Sequence, residues 1–242
     1  MRAVASPRAA RRPVARRTAI SIQPARPADK SQPADESRTA QPRRLTAWLL
    51  SPACLLTGYL AVHLGYLAYL SIFVFQGQAF SDTNIYRAWA AEGFPQNVQP
   101  SPWVYPMVGL LPIWISGLAG PGPFLILWVV LTSLLNGAAL GILSGWGRKV
   151  EGLRAGWWWL VFITLMGLLG FARVDGVTAP IVLMGLSLGV ASPFAASAIL
   201  AFATWMKIWP AAALLPLFAV VRDRWKVMVG AAPVTAAVVA AA

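Results

Sequence analysis

The sequence predicts an all-α fold: a polytopic bundle of transmembrane helices with an interfacial helix in its first external loop. Three observations carry that expectation. Of 242 residues, 58% are apolar and only 12% charged, where a soluble domain carries roughly a quarter charged residues. Mean hydropathy is +0.63. The apolar residues also fall in several uninterrupted runs of 16 residues or more, the pattern of membrane-crossing helices. This composition excludes collagen, coiled coil and disulfide scaffold. The lone cysteine, Cys54, has no partner for an internal disulfide and reads as a small buried apolar residue.

The net charge of +12 is unevenly distributed. Residues 1–44 hold eleven Lys/Arg against three Asp/Glu, and the remaining 198 hold nine against five. The first segment sets Arg11, Arg12, Arg16, Arg17, Arg43 and Arg44 among Ala, Pro, Ser and Gln, with almost no large apolar residue to offset the entropy of ordering. It is expected to be a disordered, basic, cytoplasmic tail in contact with anionic membrane lipids, as the positive-inside rule requires of a segment before a first span. Nucleic acid is not an expected partner, because aromatic residues are not interleaved with these charges. The apolar run that follows is too long for a signal-peptide core.

Residues 45–242 form the expected transmembrane domain. Leu45 to Phe75 is 31 residues without a formal charge, about 46 Å as a helix against a hydrocarbon core of roughly 30 Å, so the first span is tilted or begins late, near Pro52. A polar connection from Gln76 to Pro102 follows, too long for a turn. Further apolar runs are Trp103–Gly120, Phe124–Trp146, Gly156–Ala172, Gly176–Ala191, Phe194–Val221 and Val227–Ala242, six or seven membrane segments in all. The run from Phe194 to Val221 contains Lys207 and Pro210 and is expected to break at Ile208-Trp209-Pro210, as helices lining membrane cavities do. Its C-terminal neighbour runs apolar to the last residue, which reads as the edge of a fragment whose further helices are missing.

Charge gives a topology with one conflict. The tail and Arg222-Asp223-Arg224-Trp225-Lys226 both ask for the cytoplasm, which puts Gln76 to Pro102 outside. If every following run crossed, Arg148-Lys149-Glu151-Arg154 would also fall outside, against the charge rule. The segment expected not to span is Trp103–Gly120, interrupted by Pro106 and Pro112.

Several residues are candidates for chemistry. Ser81 to Trp89 reads as a short helix lying along the membrane surface, with Ile85 and Trp89 on its apolar face and Asp82 in its first turn. Asp82 is either a helix-start carboxylate or a general base. Tyr86 and Arg87, one turn on, are by default an interfacial anchor and a snorkelling cation. Trp103 and Tyr105 re-enter the membrane from the same side. Arg173 and Asp175 sit two apart between short apolar runs, as a local ion pair or as part of a ligand site. Lys207 lies well inside an apolar run and needs an anion, for which Asp175 and a lipid phosphate are the two candidates. His63 is expected to be a hydrogen-bonded interior residue. There is no metal-site spacing, Walker loop or serine-nucleophile elbow, so no cofactor is expected.

The order of these features resembles the GT-C superfold of membrane glycosyltransferases, and within it the polyprenol-phosphate-mannose-dependent mannosyltransferases of glycosyltransferase family eighty-seven. Three motifs carry the resemblance over roughly Leu45 to Lys226: Asp82 with Tyr86 and Arg87, Trp103-Val104-Tyr105-Pro106, and Ala203-Thr204-Trp205-Met206-Lys207-Ile208-Trp209-Pro210. It implies a multi-pass enzyme of the bacterial plasma membrane that moves a sugar, mannose by family expectation, from a polyprenol-phosphate donor to a hydroxyl of a lipid or glycan acceptor on the extracytoplasmic face. Asp82 matches the catalytic base, with inversion at the anomeric carbon. Lys207, Arg173 and Arg87 would carry the phosphate charge, while Trp103, Tyr105 and Trp209 would flank sugar or prenyl chain. Two departures stand out: Met107 replaces a second proline after Tyr105-Pro106, and Arg173-Val174-Asp175 replaces a Gly-Gln-x-Asn stretch. The readings from other classes are a transporter, which would keep its charges near the midplane rather than in a surface helix, and a non-catalytic membrane subunit.

Overall fold

A computed structural model describes residues 47–73, 81–92 and 105–241. The basic tail, Trp103 and much of the first polar connection lie outside these residues. Among the described residues there are helices and no strand, and three helices, Pro52–Leu70, Phe124–Leu143 and Arg224–Ala241, are long and apolar enough to cross a membrane. Other apolar helices are shorter, 10 to 17 residues, so the expected six or seven segments resolve into full spans and partial ones.

Helix α1 (Pro52–Phe73) starts late, as its excess length requires. The Ser51 hydroxyl accepts from the Cys54 backbone N–H at 3.2 Å, and Pro52 occupies the first helical position, where its missing N–H costs nothing. Helix α2 (Ser81–Glu92) begins at the expected Ser81. Its buried face differs from the expected one: Thr83, Tyr86 and Trp89 face inward while Ile85 is exposed. Tyr86 and Trp89 join the main core, so the helix packs on protein through a polar-aromatic stripe that apolar periodicity alone does not single out.

A 3₁₀ turn (Met107–Gly109) leads into α3 (Leu110–Gly117), only eight residues, about 12 Å long. A Cβ on Gly117 would strike Ala90 of α2. Helix α3 therefore stays beside α2 instead of crossing, in keeping with the expectation for Trp103–Gly120. Helix α4 (Phe124–Leu143) then runs the length of the bundle and ends at a turn, Gly145–Gly147, where Trp146 takes a left-handed φ of 55°.

Helix α5 (Val150–Met166) runs parallel to α1: the Trp157 indole donates to the Leu49 carbonyl at 2.7 Å near one end, and the Tyr66 hydroxyl donates to the Thr164 carbonyl at 3.1 Å near the other. A short α6 (Leu169–Ala172) and α7 (Val174–Leu188) follow, separated at Arg173. Helix α8 (Pro193–Met206) returns antiparallel to α7 and stops at Lys207, and α9 (Ala211–Val220) turns back, so the long run breaks where Pro210 predicts. Helix α10 (Arg224–Ala241) lies along α8, closely enough that a Cβ on Gly230 would collide with the Phe194 carbonyl and the Ser197 hydroxyl. Small residues at such a crossing let two backbones approach where no water drives association.

These directions resolve the charge conflict. Gly147 abuts Pro52, and α10 begins where α8 begins. The start of α1, the Arg148–Arg154 segment and the Arg222–Lys226 cluster therefore share one end of the bundle, opposite the end reached by Arg173 and Lys207. His63 is an interior residue, its Nδ1 2.9 Å from the Tyr59 carbonyl oxygen and its ring edge-on to Phe171.

Candidate active site

Two interruptions of helical backbone face each other. Arg173 is extended (φ −113°, ψ 159°) between α6 and α7, and Lys207 is extended (φ −154°, ψ 143°) between α8 and α9. Helices α7 and α8 are antiparallel and of nearly equal length, 15 and 14 residues. The start of one is therefore level with the end of the other. Asp175, in the first turn of α7, meets Lys207 in an ion pair, and the Trp209 indole donates to the other Asp175 oxygen at 3.0 Å. Lys207 Nζ also stands 5.7 Å from the centre of the Tyr105 ring, a cation–π distance.

Arg173 points elsewhere. Its Nε is 2.9 Å from Asp82 Oδ2, across from α7 to the first turn of α2. The local Arg173–Asp175 pair that their spacing suggests is replaced by a crossed arrangement: Arg173 stands in extended backbone just outside α7 while Asp175 is in its first helical turn, so the two side chains do not share a face. Two acids and two cations thus converge near one end of the bundle, and their formal charges cancel. Arg173 is 50% exposed, Asp82 28%, Lys207 28% and Asp175 33%. All four are partly exposed, and a partly exposed pair is one that an incoming ion can separate at smaller cost than a buried one.

The aromatic residues hold the frame. Tyr86 is only 1% exposed, and its hydroxyl lies 3.1 Å from that of Tyr105. Expected as an interfacial anchor or a substrate contact, it lies in the core with its hydroxyl on Tyr105, since α2 turns its polar-aromatic face inward. Burial, then the Tyr105 hydrogen bond and the nearby negative charge of Asp82, push the Tyr86 phenol well above its ordinary value. Arg87 is not brought to the cluster. It is exposed and lines a separate hollow of about 210 Å³ with Ala90, Ala91, Gly117, Gly120 and Pro121.

Trp128 is the residue the sequence did not mark. It is fully buried, its indole N–H donates to the Phe171 carbonyl at 2.7 Å, and its ring centre is 5.2 Å from that of Tyr86. One side chain on α4 thus ties the segment carrying Arg173 to the helix carrying Asp82. Inside the apolar run Phe124–Trp146 a tryptophan looks like any other, and only its contacts reveal the link. Behind it, the Asn136 amide donates to the Thr132 carbonyl at 2.9 Å and to that of Gly176 at 3.5 Å, and a Cβ on Gly176 would run into the Gly170 carbonyl. The Arg173–Asp175 junction is therefore held from both sides. Among the described residues no group of three or more His, Cys, Asp or Glu is arranged to hold a metal ion.

No curated protein and no solved structure matches the chain. The family model described as Glycosyltransferase family 87 matches residues 103–242, more than half of the sequence. The matched stretch contains Arg173, Asp175, Lys207 and Trp209 with the helices that bring them together, while Asp82 lies upstream of it. Since the family is one of glycosyltransferases, the transporter reading loses its support. Apolar helices, crossed ion pairs and the extent of the match lead to one conclusion: the chain belongs to glycosyltransferase family 87 and is a membrane glycosyltransferase.

Proposed function

We propose that the protein transfers a sugar, mannose by family resemblance, from a polyprenol-phosphate donor to a hydroxyl of a lipid or glycan acceptor, with Asp82 as general base. The observation that supports this best is the crossed cluster: an interfacial carboxylate held by Arg173, a second cation, Lys207, held by Asp175 two residues on from that arginine, and the aromatic rings of Tyr105 and Trp209 at Lys207 and Asp175. In this reading the basic end of the bundle faces the cytoplasm of the bacterial cell, and the cluster opens to the external leaflet, where the donor presents its sugar.

The donor phosphodiester carries one negative charge, and Arg173 and Lys207 are the two cations of the cluster that would hold it. Taking Arg173 from Asp82 leaves that carboxylate to accept the proton of the acceptor hydroxyl. The hydroxyl oxygen attacks the anomeric carbon from the face opposite the phosphate. As the new carbon–oxygen bond forms, the anomeric carbon–oxygen bond to phosphate breaks, and its electron pair leaves with the phosphate. The anomeric configuration inverts. The leaving group departs as the polyprenol phosphate, so no proton donor is needed, and its growing charge is stabilised by Arg173 and Lys207. Asp175 keeps Lys207 and Trp209 in place before the donor arrives. The exposed ring of Trp209 is placed to stack on the sugar, and Trp103, beside Tyr105 in sequence, is a further candidate for the prenyl chain.

The test is Asp82→Asn in membranes carrying the protein. Transfer from a polyprenol-phosphate sugar should be lost while donor binding and expression persist. Transfer at the wild-type rate would remove Asp82 as the base.

A further inference from the structure

A groove at the far end of the bundle is independent of this chemistry. It has a volume of about 570 Å³ and is lined by Leu49, Leu50, Arg154, Trp157, Trp158 and Val161, a size within the usual range for small-molecule sites. We propose that it binds one anionic phospholipid, with an acyl chain lying along α5 and the lipid phosphate on Arg154.

The polarity of the groove has a direction. Arg154 is one turn into α5, next to the basic end, and Val161 is seven residues further in, about 10 Å along the helix. Charge therefore sits at the rim and apolar surface lies towards the membrane interior, the order in which a phospholipid presents its headgroup and chain. Arg154 is the only charged lining residue, and no carboxylate pairs with it among the described residues, although Glu151 is three residues away on the same helix. It is exposed, and Arg148 and Lys149 precede it at the same end. An unpaired arginine flanked by further basic residues selects an anionic over a zwitterionic headgroup.

The groove is also built in advance. The Trp157 indole N–H is occupied by the Leu49 carbonyl at 2.7 Å, which joins the segment before α1 to α5 and leaves the indole ring as apolar lining. Trp158 is 77% exposed beside it. A tryptophan this open at the level of a basic rim is suited to the chain–headgroup boundary. Helix α1 is itself one of the membrane-length helices, so the phase that meets the groove is lipid.

Native mass spectrometry of the delipidated full chain, titrated with phosphatidylglycerol or with phosphatidylcholine of identical acyl chains, tests the site. The wild type should bind one phosphatidylglycerol about fivefold more tightly than phosphatidylcholine, the difference expected from one interfacial cation. Arg154→Gln should erase that preference, Arg154→Lys should retain it, and Arg222→Gln, at the other basic cluster, should leave it unchanged. Trp158→Ala should weaken both lipids alike. Soluble glycerophosphate should not compete, because a chain is required. Equal binding of the two lipids by the wild type, or a preference that survives in Arg154→Gln, would overturn the assignment.

Discussion

The two ends of the bundle use charge in opposite ways. At one end Arg148, Lys149, Arg154, Arg222, Arg224 and Lys226 outnumber Glu151 and Asp223, and Lys226–Asp223 is the one ion pair there among the described residues. At the other, Asp82, Arg173, Asp175 and Lys207 are matched one to one across two helices and two helix breaks. A surplus of exposed cations acts by number and survives rearrangement, which suits orientation in a membrane and attraction of anionic lipid. A matched set acts by geometry: each carboxylate is held at a defined place yet stays open to exchange for another anion. The difference teaches that total charge says little about where chemistry occurs in such a protein, while pairing says much.

The comparison can be broken most forcefully by exchanging partners at the matched end. Replacing Asp82 by Arg and Arg173 by Asp keeps an ion pair but removes the carboxylate from α2. The double variant should express normally and lose about a thousandfold or more in transfer rate, in line with the worth of a positioned base. Retained transfer would mean that the pair matters only as a structural clasp.

Lys207→Ala should have the next largest effect, weakening the apparent affinity for a polyprenol-phosphate sugar by about ten- to a hundredfold, the loss of one charge-assisted contact. A donor titration with wild-type affinity would retire the phosphate role and leave Lys207 as the partner of Asp175 alone.

Trp128→Phe sharpens the account of how the matched end is held. The ring is largely kept, but the Phe171 carbonyl loses its buried donor, at a cost of about 1–3 kcal/mol. If that bond sets the reach of Arg173 to Asp82, kcat should fall about tenfold with KM for donor little changed. A drop in thermal stability with unchanged kcat would make Trp128 a packing residue only.

The smallest effect belongs to Tyr86. Its phenol is held neutral in the folded protein above the ordinary value of about 10. The unfolded chain therefore releases this proton first as pH rises, and the stability tied to it is present below pH 10 and declines above it. Thermal unfolding from pH 9 to 11 should show a component of that decline which Tyr86→Phe removes, with activity at neutral pH changed no more than about threefold. A decline identical in both proteins would show that the titrating group is another.

Much of this architecture is legible in the residues. Pro52 marks the late start of α1, Ser81 the start of α2, Lys207 and Pro210 the break in the long run, and the basic clusters imply that the segment around Pro106 and Pro112 does not cross. Each is a local signal, a cap, a proline or a charge at a boundary. The face of α2 was less legible. Ile85 and Trp89 look like its apolar stripe, but Tyr86 is large and amphipathic and takes the buried position once its hydroxyl finds Tyr105. Arg87, grouped with Asp82 by proximity in sequence, lies on a different side of the same helix.

What the sequence by itself determined is the helical membrane fold, the punctuation of its segments and the end at which its unbalanced cations gather, because these follow from composition and from residues that act on their own backbone. The tertiary structure alone decided which acid meets which cation. Arg173 and Asp175 are two residues apart, yet one bonds to the first turn of α2 and the other to the break between α8 and α9. That choice depends on the extended backbone at Arg173, the matched lengths of α7 and α8, and Trp128 behind them, none of which a linear spacing contains.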